Sequence, residues 1–510
     1  MQRRLAALCR RMISITYRKG NSRMREVIRR IAVGAFWLAA WALLAKGIGN
    51  SLILPSPTQT LAAFAVLLGD ATFVPRLLSS QLHVMGGFFL GAVSGVLFGW
   101  LAATNDMLSR LMALPVQVMR AIPVASFVVF ALFILPSAHL SLFIVFVLVS
   151  PLVYQNALDG RRTVDASLLE MARTFRVPLS RRLRGVLLPS VLPFLSAAFQ
   201  TASGLAWKGG VAAEMIALAG NSVGEALFQS KITLDMPALF AWTGVILMIS
   251  LLNTKLVLFL WNGAAHRLMR IHPIRQKPNL EGTKTAPLAE HSRNSFAQKE
   301  KTPLMQLRDV SVSFSQKPVL QDITATLFAQ DRVHLSGPSG VGKTTLLRVI
   351  AAEKTPDGGS ILYATFTKPR CNILFQENRL LESHSVRENL RFVGLDEETI
   401  ADGLSSLSLL DVADQVVFTL SGGMKRRLAL LRALLSPGDL LLLDEPFVGL
   451  DEALRKKTAD AIVKRSKGFS ALVVCDHVLE GDDLVEQMLA PTAVWHLNDD
   501  GRLWYDVRQV

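Results

Sequence analysis

The chain has 510 residues, 51% of them hydrophobic, and carries 55 Lys and Arg against 40 Asp and Glu, a formal net charge of +15. That is too apolar for an ordinary soluble two-domain enzyme, and the composition excludes a disordered or collagen-like chain. From Ile31 to Leu158 only Lys46, Asp70, Arg76, Asp106, Arg110 and Arg120 are charged, whereas the sequence from Met305 onward reads as a mixed-charge globular domain. One half therefore suits a bilayer and the other suits water. Cys9, Cys371 and Cys475 lie far apart without a CxxC or Cys/His cluster, so neither a disulfide framework nor a zinc site is indicated, and the soluble half suits a reducing cytoplasm.

In chain order, a basic arm over residues 1–28 precedes a membrane region over 29–264. A crossing needs about 20 mostly apolar residues, and six stretches qualify, near 29–48, 79–103, 111–135, 138–158, 186–210 and 237–262. Pro136, Ser137, Ala138 and His139 separate the third from the fourth. Ten basic residues precede Ile31, and the 159–185 loop holds Arg161, Arg162, Arg173, Arg176, Arg181, Arg182 and Arg184. Basic loops stay inside, so both termini are expected in the cytoplasm, and this placement of charge fits a membrane protein better than a nucleic-acid binder. No cleavable leader is expected, because the arm is long and basic and no small-residue site follows the apolar run. Residues 265–303 are polar, contain proline and lack periodic apolar spacing, which reads as a linker to a last domain over 304–510.

That domain contains RVHLSGPSGVGKTTLLRVIA, a short apolar strand, a Gly-rich loop and a helix-like run. The spacing is that of a phosphate-binding loop, in which Gly337, Pro338, Ser339, Gly340, Val341 and Gly342 turn backbone N–H groups toward phosphate oxygens. Lys343 would reach the β- and γ-phosphates, Thr344 would offer its hydroxyl to Mg²⁺, and Thr345 follows on the same helix start. About a hundred residues on, DLLLLDEP reads as a strand buried on both faces and ending in two carboxylates. Asp444 would hold Mg²⁺ and Glu445 would polarise an attacking water. The expected cofactors are ATP and Mg²⁺.

Between these motifs stands LSGGMKRRLALLRALL, beginning at Leu420, which resembles the signature of the ATP-binding cassette (ABC) family. The resemblance implies that Ser421, Gly422 and Gly423 grip the γ-phosphate held by an opposing subunit. It further implies that Phe314 stacks on adenine, that Gln376 is the Gln-loop residue at the metal and attacking water, that Asp451 belongs to the D-loop, and that His477 is the switch histidine. Met424 stands where the signature has Gln, and Asp476 precedes His477 instead of following it.

The segment LLEMARTFRVPLSRRLRGVLLPSVLP resembles the coupling loop of binding-protein-dependent ABC importers, with Glu170 and Ala172 matching and Arg176 in place of the usual Gly. Such a loop folds as a short helix docked on the ATPase; the alternative is a basic loop held by lipid head groups. LPSPTQTLAAF, RAIPVASF and AWKGGVAAEM resemble permeases of the nitrate/taurine/sulfonate type. Ionisable groups within spans are costly and so often functional, which makes Arg120, Lys208 and Glu214 candidates for a solute path. Structural roles stay open for all three, including a pairing of Lys208 with Glu214.

The expected protein is thus an all-α six-helix transmembrane permease domain fused to an α/β P-loop ATPase. It would act in the cytoplasmic (inner) membrane of a prokaryote as an ATP-driven importer of a small anionic solute. Because one cassette completes the site of another, a second copy of the chain is the expected partner, together with an extracytoplasmic solute-binding protein and no nucleic acid. A half-size exporter and a membrane-anchored regulatory ATPase are the competing readings.

Overall fold

The computed structural model describes residues 28–29, 31–269, 303–314, 317–364, 368–476 and 489–507. Two compact units emerge, Met1–Arg162 with Val191–Ala264, and Thr163–Ser190 with Ala265–Val510.

The first unit is helical: α1 (Ile31–Ile48), α2 (Pro57–Gly69), α3 (Phe73–Thr104), α4 (Asp106–Ala121), α5 (Val124–Leu132) and α6 (Ser137–Arg162). After α7 (Ala166–Thr174) and α8 (Leu179–Arg182) of the second unit, a π-turn over Leu183–Leu187 leads into α9 (Leu188–Ala217), α10 (Val223–Ile232) and α11 (Met236–Met269). Short polar residues set several starts. Ser56 forms a capping box with Gln59 at α2, and Asn105 accepts from the N–H groups of Met107 and Leu108 at α4.

Among the described residues five helical stretches are long and apolar enough to cross a membrane: α1, α3, α6, Leu179–Ala217 and α11. The third expected crossing is not one helix. α4 and α5 meet at a bend of 101°, because Pro123 lacks an N–H and disfavours a helical Ile122 before it; Ile122 accordingly has ψ 127°. The pair counts as a sixth span only if the broken helices are taken together. The helix α11 also continues to Met269, five residues into the stretch read as linker, since the apolar pattern alone does not mark where an exposed helix end stops.

α3 and α6 pack against each other along a stripe of glycines four residues apart: Gly87, Gly91, Gly95 and Gly99. A Cβ added at Gly91 would lie 2.9 Å from Val149 Cβ, at Gly95 2.7 Å from the Ser150 carbonyl oxygen, and at Gly99 2.6 Å from that of Tyr154. Small residues let two backbones approach in lipid, where packing rather than water exclusion drives association. Polar side chains reinforce the bundle: Gln81 and Asn253 exchange amide hydrogen bonds of 3.0 and 2.9 Å between α3 and α11, and Trp261 Nε1 donates to Ser196 Oγ at 2.9 Å.

The second unit has two sheets. One is antiparallel with order β2–β1–β4, from β1 (Pro303–Phe314), β2 (Lys317–Phe328) and β4 (Gly358–Tyr363). The other has order β5–β6–β7–β3–β8–β9, from β3 (Arg332–Ser336), β5 (Cys371–Leu374), β6 (Leu440–Asp444), β7 (Ala471–Cys475), β8 (Ala493–Leu497) and β9 (Leu503–Val507), and is parallel except for the β8–β9 pair. Helices α12 (Lys343–Ile350), α13 (Val386–Phe392), α14 (Glu397–Ser406), α15 (Gly422–Leu435) and α16 (Glu452–Ser466) complete it. β5, β6 and β7 are buried along their whole length, as strands covered on both faces must be.

Residues 163–190 share this core. Met171, Ala172, Val177 and Val186 are buried in one cluster with Ile350, Cys371, Leu381 and Phe392. α7 is capped by Asp165, whose side chain accepts from Ser167 N–H, and ends with Arg176 at φ 52° while Val177 N–H bonds the Ala172 carbonyl at 2.9 Å. The left-handed position after a helix favours glycine, which accounts for the residue that the resembling loops carry there. Arg176→Gly relieves about 1–2 kcal/mol of left-handed strain and gives back about 0.5–1 kcal/mol of chain entropy. The variant should melt roughly 1–4 °C higher by thermal denaturation.

Candidate nucleotide site and its transmission element

The loop between β3 and α12 is built for phosphate. Gly337, Gly340 and Gly342 have φ of 145°, 81° and 113°, a region L side chains rarely adopt, and Gly342 is the N-cap of α12. Pro338, Ser339 and Gly340 are exposed at its tip, Val341 is half-buried, and Lys343 Nζ donates to the carbonyls of Gly337 and Pro338 at 2.6 and 2.8 Å. The ammonium thus closes the loop that a phosphate would fill. Thr344 Oγ1 donates to Asp444 Oδ2 at 2.7 Å, although a hundred residues separate them, and Thr345 follows in the first turn of α12. A hydroxyl and a carboxylate side by side at the mouth of the loop form an oxygen donor set that fits Mg²⁺. Burial pushes the Asp444 carboxyl above its usual range, against the opposing effect of the Thr344 hydrogen bond.

Glu445 is half-buried, has φ 50°, and its N–H bonds the Cys475 carbonyl at 2.7 Å. Asp476, the residue out of order in the sequence pattern, is 3% exposed, and its carboxylate accepts from Phe447 N–H at 3.1 Å, fixing the chain just past Glu445. His477 lies outside the described residues. Phe314 sits at the end of β1, half exposed, with Lys354 Nζ 5.1 Å from its ring centroid. Gln376 is exposed in the turn after β5.

Ser421 caps α15, with Oγ accepting from Met424 N–H at 3.4 Å, and Gly422 and Gly423 form the first turn. The end of α15 thus presents N–H groups and a positive dipole end. Asp451 caps α16 by accepting from Leu454 N–H at 2.9 Å.

Sequence reasoning missed the arginines that join these parts. Arg426, 4% exposed on α15, donates to the carbonyls of Phe375 at 2.6 Å and Gln376 at 3.1 Å, and its other nitrogens reach the carbonyls of Asp444 and Glu445. One guanidinium therefore ties the signature helix to the Gln turn and to the end of β6. Arg432 is fully buried, donates to the carbonyls of Arg379 and Asn378 at 2.7 and 3.0 Å, and lies 5.3 Å from the Phe175 ring centroid. Burial lowers its pKa to about 9. No local signal marked these arginines: α15 buries Arg426, Arg427 and Arg432 among its Leu and Ala residues.

The 163–190 segment meets the Gln turn directly. Glu170 Oε2 lies 3.0 Å from Arg379 Nη1, an ion pair by distance without hydrogen-bond alignment, and Thr174 donates to Glu353. Ala172 is fully buried. Burial also raises the Glu353 carboxyl above its usual range.

In the helical unit, Glu214 is 2% exposed and accepts from Ser80 Oγ at 2.7 Å and Gly224 N–H at 3.1 Å, which ties α9 to α3 and α10. Among the described residues it makes no ion pair with Lys208, which is exposed; the suggested pairing is replaced by these hydrogen bonds because they satisfy the carboxylate at closer range. Arg120 is exposed in the last turn of α4.

A P-loop, a two-carboxylate strand end on a mostly parallel sheet and a signature helix, in one chain with an apolar helical unit, define a membrane-bound nucleotide-driven machine. Family models agree. The model described as ABC transporter matches residues 320–448, and that described as binding-protein-dependent transport system inner membrane component matches residues 95–270. The chain is 36% identical over 206 residues to the aliphatic sulfonates import ATP-binding protein SsuB 2 of Burkholderia lata, covering 37% of this chain and 74% of that one. It is 34% identical over 214 residues to SsuB of Escherichia coli O6:K15:H31, covering 40% and 81%. A nucleotide-free ATP-binding cassette from an ABC transporter matches with 20% identity over 41% of this chain and 92% of that chain, at a TM-score of 0.35. The chain belongs to the ABC transporter family, as an importer whose permease and ATPase are fused in one polypeptide and whose ATP hydrolysis is coupled to transport.

Proposed function

We propose that the protein imports a small anionic solute, such as an aliphatic sulfonate, taurine or nitrate, across the cytoplasmic membrane of a prokaryote. A separate extracytoplasmic binding protein delivers the solute, and two copies of the chain form the working unit. The observation that carries this reading is the burial of Met171 and Ala172 in the ATPase core beside the Glu170–Arg379 pair, since a permease segment locked into the cassette is what coupling demands. The import of aliphatic sulfonates by the named relatives and the cationic Arg120 and Lys208 support the solute class.

In this reading the basic arm 1–28 and both termini face the cytoplasm, residues 29–264 span the membrane, and 265–303 connect them to the cassette at 304–510. Phe314 stacks on adenine, the loop Gly337 to Thr345 cradles the phosphates, and Ser421, Gly422, Gly423 and Asp451 complete the site of the opposite copy. Thr344, Asp444 and Gln376 would hold Mg²⁺, which neutralises phosphate charge when bound. Glu445 takes a proton from the attacking water, and His477 would serve as the switch histidine. Glu170, Ala172 and Arg176 carry closure of the cassettes into the helices.

Purified protein in proteoliposomes tests this, with candidate binding proteins loaded with taurine or ethanesulfonate inside or outside. ATP-dependent uptake that requires a binding protein is the expected result. ATP hydrolysis indifferent to every binding protein and solute, or stimulated by amphiphiles alone, would replace the importer reading by a regulatory ATPase or an exporter. In the same assay Arg379→Ala removes the partner of a half-exposed Glu170, an interaction worth about 1 kcal/mol. Uptake per ATP hydrolysed should fall about fivefold, and the ATPase rate should fall less.

A further inference from the structure

Between α4 and α6 of the helical unit lies a cleft of about 560 Å³, within the range of small-molecule sites. On α4 it is lined by Ser109, Gln117 and Arg120, whose spacing of eight and three places them along one face, and on α6 by Tyr154, Gln155 and Arg162, spaced one and seven. The lining holds two guanidinium groups, two amides and two hydroxyls, and no carboxylate. Arg162 Nη2 donates to Ser109 Oγ at 3.0 Å, which fixes one cation across the cleft. Gln155 is oriented by Asp159, whose carboxylate accepts from Nε2 at 2.9 and 3.0 Å. Tyr154 is 4% exposed, and its hydroxyl is buried without a hydrogen-bond partner among the described residues. An unpartnered buried hydroxyl is costly and marks a place where a polar ligand belongs.

The geometry points to an oxyanion subsite in this cleft, with Arg120 and Arg162 binding the charged head of the solute and Gln117 and Tyr154 bonding its remaining oxygens. Planar forked guanidinium groups match sulfonate, nitrate or phosphate oxygens better than an ammonium does. Arg162 is not explained by its helix end alone: on α6 the neighbouring Arg161 already supplies last-turn charge and lies over the Trp100 ring at 5.6 Å. Arg162 is also the last residue before the segment that joins the ATPase core. Under the importer reading, on which the sidedness rests, the cleft therefore lies at the cytoplasmic end of the permease and holds the solute after passage.

The test uses the full chain in nanodiscs of phosphatidylcholine, without binding protein, titrated with labelled ethanesulfonate and competed with inorganic sulfate. Saturable binding is expected, weakened at least tenfold in Arg120→Ala and in Arg162→Ala, retained in part by Arg162→Lys, and unchanged in Arg110→Ala, which lies on α4 but outside the cleft. Melting curves of each variant separate loss of ligand from loss of fold. If instead phosphatidylglycerol co-purifies with the wild type, is lost in Arg120→Ala and Arg162→Ala, and is not displaced by ethanesulfonate, the oxyanion is a lipid phosphate. No binding of either probe, or binding that the two substitutions leave unaltered, overturns the subsite. Binding in the cleft without sulfonate uptake in proteoliposomes would remove the proposed solute and leave the subsite standing, whereas uptake without cleft binding would do the reverse.

Discussion

Glu445→Gln should lower ATP hydrolysis by roughly 10²- to 10⁴-fold, the usual contribution of a positioned general base, while leaving nucleotide binding intact. The backbone at this residue is held from both sides: its N–H bonds the Cys475 carbonyl at 2.7 Å, and its own carbonyl accepts from Arg426 Nη2 at 3.0 Å. Gln keeps the size and the left-handed backbone and loses only the ability to take a proton. Wild-type and variant proteins compared by phosphate release and by retention of labelled ATP would separate the two effects. Unchanged turnover would move the base elsewhere in the site. Arg426→Ala gives a different signature, because Arg426 acts as a positioning residue: with the carbonyls of Phe375, Gln376, Asp444 and Glu445 released together, both the apparent nucleotide affinity and the turnover should fall.

The contrast between these residues shows how far the amino-acid sequence could be read. The P-loop, the β6 carboxylates and the signature are local strings whose backbone context is contained within about ten residues, so Gly337 to Thr345, Asp444 and Ser421 stood out. Arg426 and Arg432 act on carbonyls roughly 20 to 50 positions away and Arg379 pairs with Glu170 of a much earlier segment, and no local pattern separates a buried, partnered arginine from a solvated one. Asp476 looked like a departure from pattern, and its hydrogen bond from Phe447 N–H gives it a purpose. In the helical unit, hydropathy found the apolar runs, but it is blind to direction, so the turn at Ile122 and Pro123 was absorbed into a single crossing. Glu214 was found as an ionisable group in an apolar run, yet its partners Ser80 and Gly224 come from elements that periodicity does not pair.

The glycine stripe on α3 was equally hidden, since glycine every fourth residue in an apolar run resembles ordinary membrane composition until its neighbour is known. Gly95→Leu should therefore be the most damaging single change in the helical unit. An added Cβ already falls 2.7 Å from the Ser150 carbonyl oxygen and 2.8 Å from Val153 Cβ, and neither is the flexible end of a side chain, so α3 and α6 must separate. Overpacking in a rigid interior costs about 1–3 kcal/mol even where side chains can yield. Here the obstacle is backbone, and separation would also part the buried residues Val84, Phe88, Val145, Val149 and Val153 that meet at this contact. Gly95→Ala should lower the melting temperature of the detergent-solubilised protein by several degrees, and Gly95→Leu should abolish the monodisperse peak in size-exclusion chromatography. Gly244→Ala on α11 is the control, because no atom lies within 4 Å of the Cβ it would add. If Gly95→Leu and Gly244→Ala behaved alike, the close approach of α3 and α6 would not be what holds the bundle together, and association would have to rest on the polar pairs such as Gln81 with Asn253.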